Sequence, residues 1–220
     1  PGMAEAEIVT PALVVDADAM ERNIARMQAR ADAFGVRLRP HAKTHRSAGI
    51  GRRQIAAGAV GLCAQTLSEA EALVRGGIGD VLITNEVRGA LRAARLARLA
   101  GRARLGVCVD EAGNLAGLSE AMAAAGAGAV LDVLVEIDVG AGRCGVATPE
   151  AAVALARAGA AAPGLRFAGL QAYHGGAQHV ASARARGAAI AEAAARTRAA
   201  AEALAAAGLA PEVIGGAGTG

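Results

Sequence analysis

Of the 23 basic side chains in the chain, 22 are Arg and one is Lys, Lys43. Both types carry a cation at similar reach. A guanidinium does not give up its proton to attack a carbonyl carbon, whereas a lysine amine does. A lysine left alone where Arg fills every other basic position is therefore the residue to suspect of Schiff-base chemistry. It lies in the run Arg39-Pro40-His41-Ala42-Lys43-Thr44-His45. If that run is extended, alternate residues share a face. Arg37, Arg39, His41, Lys43 and His45 then form one basic side, and crowded cations disfavour the protonated amine. The other two His flank a second run, Tyr173-His174-Gly175-Gly176-Ala177-Gln178-His179, which also holds the one Tyr. All four His thus fall in two clusters. Neither cluster has ligand spacing within one element, so no metal site is expected from this chain alone. A third run, Asp138-Val139-Gly140-Ala141-Gly142-Arg143-Cys144-Gly145, could aim Arg143 at an anionic oxygen. A fourth, Gly215 to Gly220, contains Gly216, Gly218 and Thr219. Glycines there let backbone N–H groups approach an anion, and the Thr219 hydroxyl adds a donor.

These runs need a scaffold that brings them together. Short apolar, β-branched segments alternate with helical patterns along the chain. Strands are expected at Ala12–Val15, Val36–Arg39, Val60–Ala64, Val81–Thr84, Leu105–Val109, Val133–Asp138, Phe167–Ala172 and Val213–Ile214. Asp18 with Glu21 and Ser68 with Glu71 have the spacing of a capping box at a helix start, and Thr148-Pro149 places Pro at a first helical position. Met20, Ile24, Met27, Ala31 and Phe34 recur at helical spacing and are expected in the core. Strand–helix alternation with near-continuous apolar strands indicates a parallel sheet covered by helices. Eight such units point to an α/β fold of the closed (β/α)8 barrel type, whose chemistry sits at the C-terminal ends of the strands. Each of the four runs follows one of the predicted strands. No linker or repeat marks a second domain. No eighth helix follows the last strand, so residues 1–220 read as one barrel domain forming the N-terminal part of a longer chain.

Composition narrows the function classes. The chain has 220 residues, 54% of them hydrophobic, and enough length for one sizeable core. There is no Trp, one Tyr and two Phe, so a core of Leu, Val, Ile and Ala is expected, and disorder and disulfide scaffolds are excluded. The net charge of +3 comes from Arg scattered on helical segments with no aromatic residues between them, which argues against nucleic acid. No apolar run approaches the roughly 20 residues of a membrane span. Cys63, Cys108 and Cys144 form no Cys-x-x-Cys motif and read as reduced residues of a cytoplasmic protein.

An amine, an anion cradle, an Arg for a phenolate oxygen and an aromatic neighbour together describe a pyridoxal 5'-phosphate site. The segment Thr10-Pro11-Ala12-Leu13-Val14-Val15-Asp16 and the four runs above, in their order along the chain, resemble the D-threonine aldolase and D-serine dehydratase family, whose members have the alanine-racemase-type (fold type III) barrel. The resemblance implies that Lys43 holds the cofactor as a Schiff base, that Arg143 lies near its phenolic oxygen and Tyr173 near its ring, that Gly216, Gly218 and Thr219 form the phosphate loop, and that His179 acts on the substrate β-hydroxyl. It also implies a D-3-hydroxy amino acid substrate, with D-threonine aldolase chemistry ahead of dehydration or racemisation, and a homodimer when full length. The divalent metal of the family, manganese or zinc, is held in a C-terminal β-domain, so it is expected only in the longer protein. The rival readings are a non-catalytic carrier of the same cofactor and a cofactor-free Schiff-base aldolase of sugar phosphates.

Overall fold

A computed structural model describes residues 4–126 and 128–218. Its centre is a six-stranded, all-parallel sheet in the order β1 (Leu62–Ala64), β2 (Asp80–Glu86), β3 (Arg104–Val109), β4 (Leu131–Glu136), β5 (Leu165–Ala172), β6 (Val213–Gly216). Helices α3 (Leu67–Arg75), α4 (Ala90–Ala100), α5 (Ala112–Ala125), α6 (Pro149–Ala161) and α7 (Ala183–Ala206) make the crossovers, as parallel pairing requires. Helices α1 (Ala17–Ala33) and α2 (Ala48–Ala56) precede β1.

Six strands, not eight, stand in the sheet among the described residues, and closure into a barrel is not observed. The two strands that differ from expectation are the N-terminal ones, for separate reasons. Residues 38–41 do lie alongside β1: Val60 N–H donates to Leu38 O at 2.9 Å, Cys63 N–H to Pro40 O at 2.8 Å, and His41 forms a parallel bridge with Cys63. Pro40 has no N–H to return, so the segment is extended without becoming a full ladder. Residues 12–15 belong to no strand, and Leu13, Val14 and Val15 are exposed.

The pleat of the sheet sends alternate residues to two faces. One face meets the helices, and there Val81, Ile83, Leu105, Val107, Leu131 and Val133 are fully buried against Leu73, Leu96, Leu118 and Leu155. The small helix residues Ala70, Ala97, Ala152 and Ala156 are buried in the same core, which is how an Ala-rich, aromatic-poor chain reaches close packing. The other face is layered. At its N-terminal end, charges alternate from strand to strand. Arg39 binds Asp80 at 2.6 Å, Arg104 binds Asp132 at 3.0 Å, and Arg166 binds Asp132 at 2.8 Å and Glu212 at 2.7 Å. Above that girdle lies a thin apolar layer of Cys63, Leu82, Leu134, Ala168 and Val213. Above this again, at the C-terminal strand ends, the face is polar.

Local signals shifted by small amounts. The caps are Asp16, which accepts from Ala19 N–H at 2.8 Å, and Thr66, which accepts from Glu69 N–H at 3.2 Å, each two residues before the expected cap. Thr148 caps α6 as expected, with Pro149 in its first turn. The stripe on α1 is a correction: Ala31 is buried, but Met27 and Phe34 are exposed. No strand pairs with residues 12–15, so α1 has little sheet surface to pack on.

Candidate active site at the C-terminal strand ends

The turn that carries Lys43 is a 3-10 turn, Ala42–Thr44, seated against β1. Its geometry corrects the expected basic face. Alternation stops at Ala42, which is buried, and the basic residues diverge. Arg39 points to the girdle, His41 to β2, and Lys43 is exposed. His41 is tied on both ring nitrogens. Its Nδ1 accepts from the main-chain N–H of Lys43 at 3.2 Å, and its Nε2 lies 3.0 Å from Thr84 Oγ1. The Thr84 hydroxyl donates to Ala64 O at 3.3 Å. Burial first, and then the Lys43 cation, lower the His41 pKa to about 4. Burial likewise raises the Cys63 thiol to about 11, so this cysteine is an inert wall.

Arg143 is delivered by the loop after β4. Asp138 Oδ1 accepts from Gly140 N–H at 2.9 Å and Gly142 N–H at 3.0 Å, which folds the loop and holds the Asp138 carboxyl below its usual range. Gly145 N–H donates to Asp110 at 3.2 Å, and a Cβ at Gly145 would sit 2.6 Å from Asp138 N. The loop can return so tightly only with glycine there. Arg143 emerges with its guanidinium 5.8 Å from the Tyr173 ring centroid and 3.4 Å from Glu136 Oε1. Tyr173 Oη accepts from Gln178 Nε2 at 3.4 Å, and a Cβ at Gly218 would lie 3.8 Å from the Tyr173 ring. Arg143, Tyr173 and Gly218 therefore share one region. Gly216 sits in β6, where a Cβ would come within 2.6 Å of Ala172 O. Its smallness is used by strand pairing as well as by any anion. Thr219 lies outside the described residues. His179 ends the 3-10 turn Gly175–His179 and is exposed.

Sequence reasoning missed an acidic group beneath Arg143. Glu136 on β4 is 3% exposed, with Glu86 on β2 and Cys144 close enough that one ligand-type atom from each lies within 4.8 Å of the others. Glu86 Oε1, Asp110 Oδ1 and Glu136 Oε2 are buried without hydrogen-bond partners, as is His174 Nδ1 nearby. Burial and then the like charge of Glu86 raise the Glu136 pKa to about 7, against the pull of Arg143. Burial also raises the thiols of Cys108 and Cys144. Carboxylates and a thiolate are metal-ligand types. Here burial favours the protonated forms of Glu136 and Cys144, and Arg143 already occupies one Glu136 oxygen, so the trio does not fit a metal site. A signal for it was present: a Glu between the apolar residues Val135 and Ile137 cannot be a solvated residue in a fully covered parallel strand.

The arrangement is an always-charged guanidinium against an aromatic ring, backed by buried acids, at the same sheet end as the turn that carries the lone lysine. No helix among the described residues is long and apolar enough to cross a membrane. Comparison with known proteins places this geometry. The family model of the alanine racemase N-terminal domain matches residues 15–220. The chain is 52% identical over 222 residues to the 3-hydroxy-D-aspartate aldolase of Paracoccus denitrificans (strain Pd 1222), covering 100% of this chain and 57% of that protein. It is 51% identical over 179 residues to the D-threonine aldolase of Arthrobacter sp, covering 81% of this chain and 47% of that one. The crystal structure of D-threonine aldolase from Filomicrobium marinum superposes with a TM-score of 0.95 at 52% identity, over 98% of this chain and 58% of that one. The chain thus spans about half the length of the curated relatives it matches.

Proposed function

The chain belongs to the alanine racemase N-terminal domain family, and from that premise we propose that it is the cofactor-holding part of a pyridoxal-phosphate-dependent lyase for D-3-hydroxy amino acids. The reaction is a retro-aldol cleavage, with D-threonine giving glycine and acetaldehyde. The observation that carries the proposal is the meeting of Arg143, Tyr173 and the buried acids at the same sheet end as the turn of the one lysine. The residues fit the cofactor. Buried polar atoms there lack partners, and Gly218 at the end of β6 lies beside the Tyr173 ring with no side chain of its own. The relatives named above, an aldolase of 3-hydroxy-D-aspartate and one of D-threonine, support the substrate class.

Lys43 would hold the cofactor covalently through its amine, and Gly216, Gly218 and Thr219 would hold its phosphate through N–H and hydroxyl donors. When bound, pyridoxal phosphate supplies the electron sink for the pair released as the substrate Cα–Cβ bond breaks. Arg143 keeps its charge at every working pH and binds an anionic oxygen, while Tyr173 packs beside it. Glu136, buried and able to keep its proton near neutrality, limits the negative charge beneath that oxygen. His179 takes the proton from the substrate β-hydroxyl oxygen, a general-base role suited to an exposed imidazole. Manganese or zinc belongs to the proposal only as an added ion, since no step is drawn through the Glu86–Glu136–Cys144 trio.

The test has two parts. Protein is incubated with pyridoxal 5'-phosphate, reduced with borohydride and mapped by peptide mass spectrometry. Turnover of D-threonine and L-threonine is then followed with manganese or zinc present. Label at Lys43 with acetaldehyde formed from the D-isomer is the expected result. Label confined to the N-terminal amine overturns the cofactor assignment, and ammonia released without aldehyde overturns the retro-aldol reading in favour of dehydration.

A further inference from the structure

We propose that His41 is a positioning residue, a permanently neutral imidazole that pins the turn carrying Lys43 by linking its main chain to β2. The inference deepens the proposed function and rests on its reading of Lys43 as the covalent anchor.

The hydrogen-bond polarity leaves one consistent assignment. Lys43 N–H is a donor only, so the His41 Nδ1 facing it at 3.2 Å must carry the lone pair. A neutral ring with a bare Nδ1 has its proton on Nε2, which donates to Thr84 Oγ1 at 3.0 Å. Thr84 in turn uses its own hydroxyl proton on Ala64 O at 3.3 Å. Every donor in the relay has an acceptor, and the relay crosses from β1 to β2 and back to the Lys43 turn. A second ring proton would take the place of the Lys43 N–H and put a cation beside the Lys43 side chain. The charged groups acting on the ring are Lys43 on its own turn and Glu69 on α3, while Thr84 on β2 faces it without charge. Burial and Lys43 outweigh Glu69, which agrees with a ring that stays neutral.

What the relay fixes is the direction of the backbone at Lys43. The lysine side chain is exposed and makes no hydrogen bond or ion pair among the described residues, so its own contacts do not orient it. The turn is three residues long, and its N-cap is His41 itself, whose side chain supplies the cap acceptor. Without that acceptor the turn has one less restraint at the residue whose amine must meet a bound aldehyde. Misplacement of about 1 Å at such a point costs up to about a hundredfold in rate.

The relay is broken most gently by Thr84→Val, which keeps volume and removes both functions of the hydroxyl. Thr84→Ser restores them, and His41→Ala removes the cap. Two quantities are read on each variant. One is the rate at which pyridoxal 5'-phosphate becomes fixed to Lys43 under borohydride, where the amine nitrogen displaces the aldehyde oxygen as water and hydride reduces the resulting carbon–nitrogen double bond. The other is the affinity for pyridoxamine 5'-phosphate, which has no aldehyde and reports an intact site. Thr84→Val and His41→Ala should slow fixation about tenfold or more, leave pyridoxamine phosphate affinity within about twofold, and Thr84→Ser should recover the rate. The His41 ring proton resonances should show no titration between about pH 5 and pH 8. Unchanged fixation in the variants, a parallel loss of pyridoxamine phosphate affinity, or a His41 titration near its ordinary value of about 6.5 would each overturn the inference. No label on wild-type Lys43 overturns the cofactor reading and this inference with it, so the two failures are distinguishable.

Discussion

Replacing Glu136 by Gln should make the protein more stable at pH 8 and leave it almost unchanged at pH 5. The Glu136 pKa is raised from 4.5 to about 7 because the carboxylate is buried and faces Glu86. Between those values the folded state keeps a proton that the unfolded state has released, so stability falls as pH rises through that window. About 2.5 pH units at roughly 1.4 kcal/mol each sets an upper limit of about 3.5 kcal/mol on the cost of ionising Glu136 in place. Gln keeps the shape and an acceptor for Arg143. The pull of Arg143 on the carboxylate is already contained in the raised pKa, so it is not subtracted again. The gain at pH 8 is then up to about 3.5 kcal/mol, or roughly 10 °C in melting temperature for a chain of this size. Both proteins are melted without cofactor at pH 5, 6, 7 and 8. His41, whose lowered pKa makes stability rise between about pH 4 and 6.5, affects both alike and drops out of the difference. Parallel stability curves for the two proteins would refute the reasoning, because the gap must widen with pH if Glu136 is the group that ionises.

Lys43→Arg should abolish borohydride fixation of pyridoxal phosphate while changing stability by less than about 0.5 kcal/mol, since the side chain is exposed; chemical denaturation alongside peptide mapping checks both. Gly169→Ala should destabilise by more than about 3 kcal/mol, because the new Cβ would lie 1.8 Å from Val213 O where β5 meets β6; a normal melting curve would show that β6 moves freely. Asp132→Ala should cost about 2 kcal/mol in urea denaturation. It removes the carboxylate that Arg104 and Arg166 share, and the loss is moderated because Arg166 keeps Glu212 and both guanidiniums reach water.

The strands β2, β3 and β4 were readable because each is a largely buried run rich in Val or Ile between helical patterns, and burial on both faces leaves that signature in composition. The Arg143 and Tyr173 runs were readable because unusual residue types follow β4 and β5, and the Lys43 run because it holds the one lysine. What local pattern could not supply was pairing. Leu13, Val14 and Val15 have the composition of a strand, but a strand also needs a neighbour, and sequence alone does not show which edge is available. The basic face around Lys43 failed for a related reason. His41 closes a turn by accepting the Lys43 N–H, and one such bond is enough to end the alternation that an extended segment would have had. The acids beneath Arg143 are far apart in sequence, at 86, 110 and 136, and only the sheet brings them together.

The alternating girdle of Arg39, Asp80, Arg104, Asp132, Arg166 and Glu212 works as a key for assembling the sheet. From β2 to the start of β6 each strand enters with one charge opposite in sign to that of its neighbour, while Arg39 reaches Asp80 past Gly61 just before the uncharged β1, one layer before the apolar residues begin. A strand that slid by two residues would set a charge against Leu82 or Leu134 and leave its partners unpaired. A strand inserted one place out of order would meet its own sign. Parallel strands brought together over long crossovers have no hairpin to set their alignment. In this protein the ion pairs at the near end therefore set which strands neighbour one another, and a charge reversal at Asp132 would be felt first in the pairing of β4 with β3 and β5.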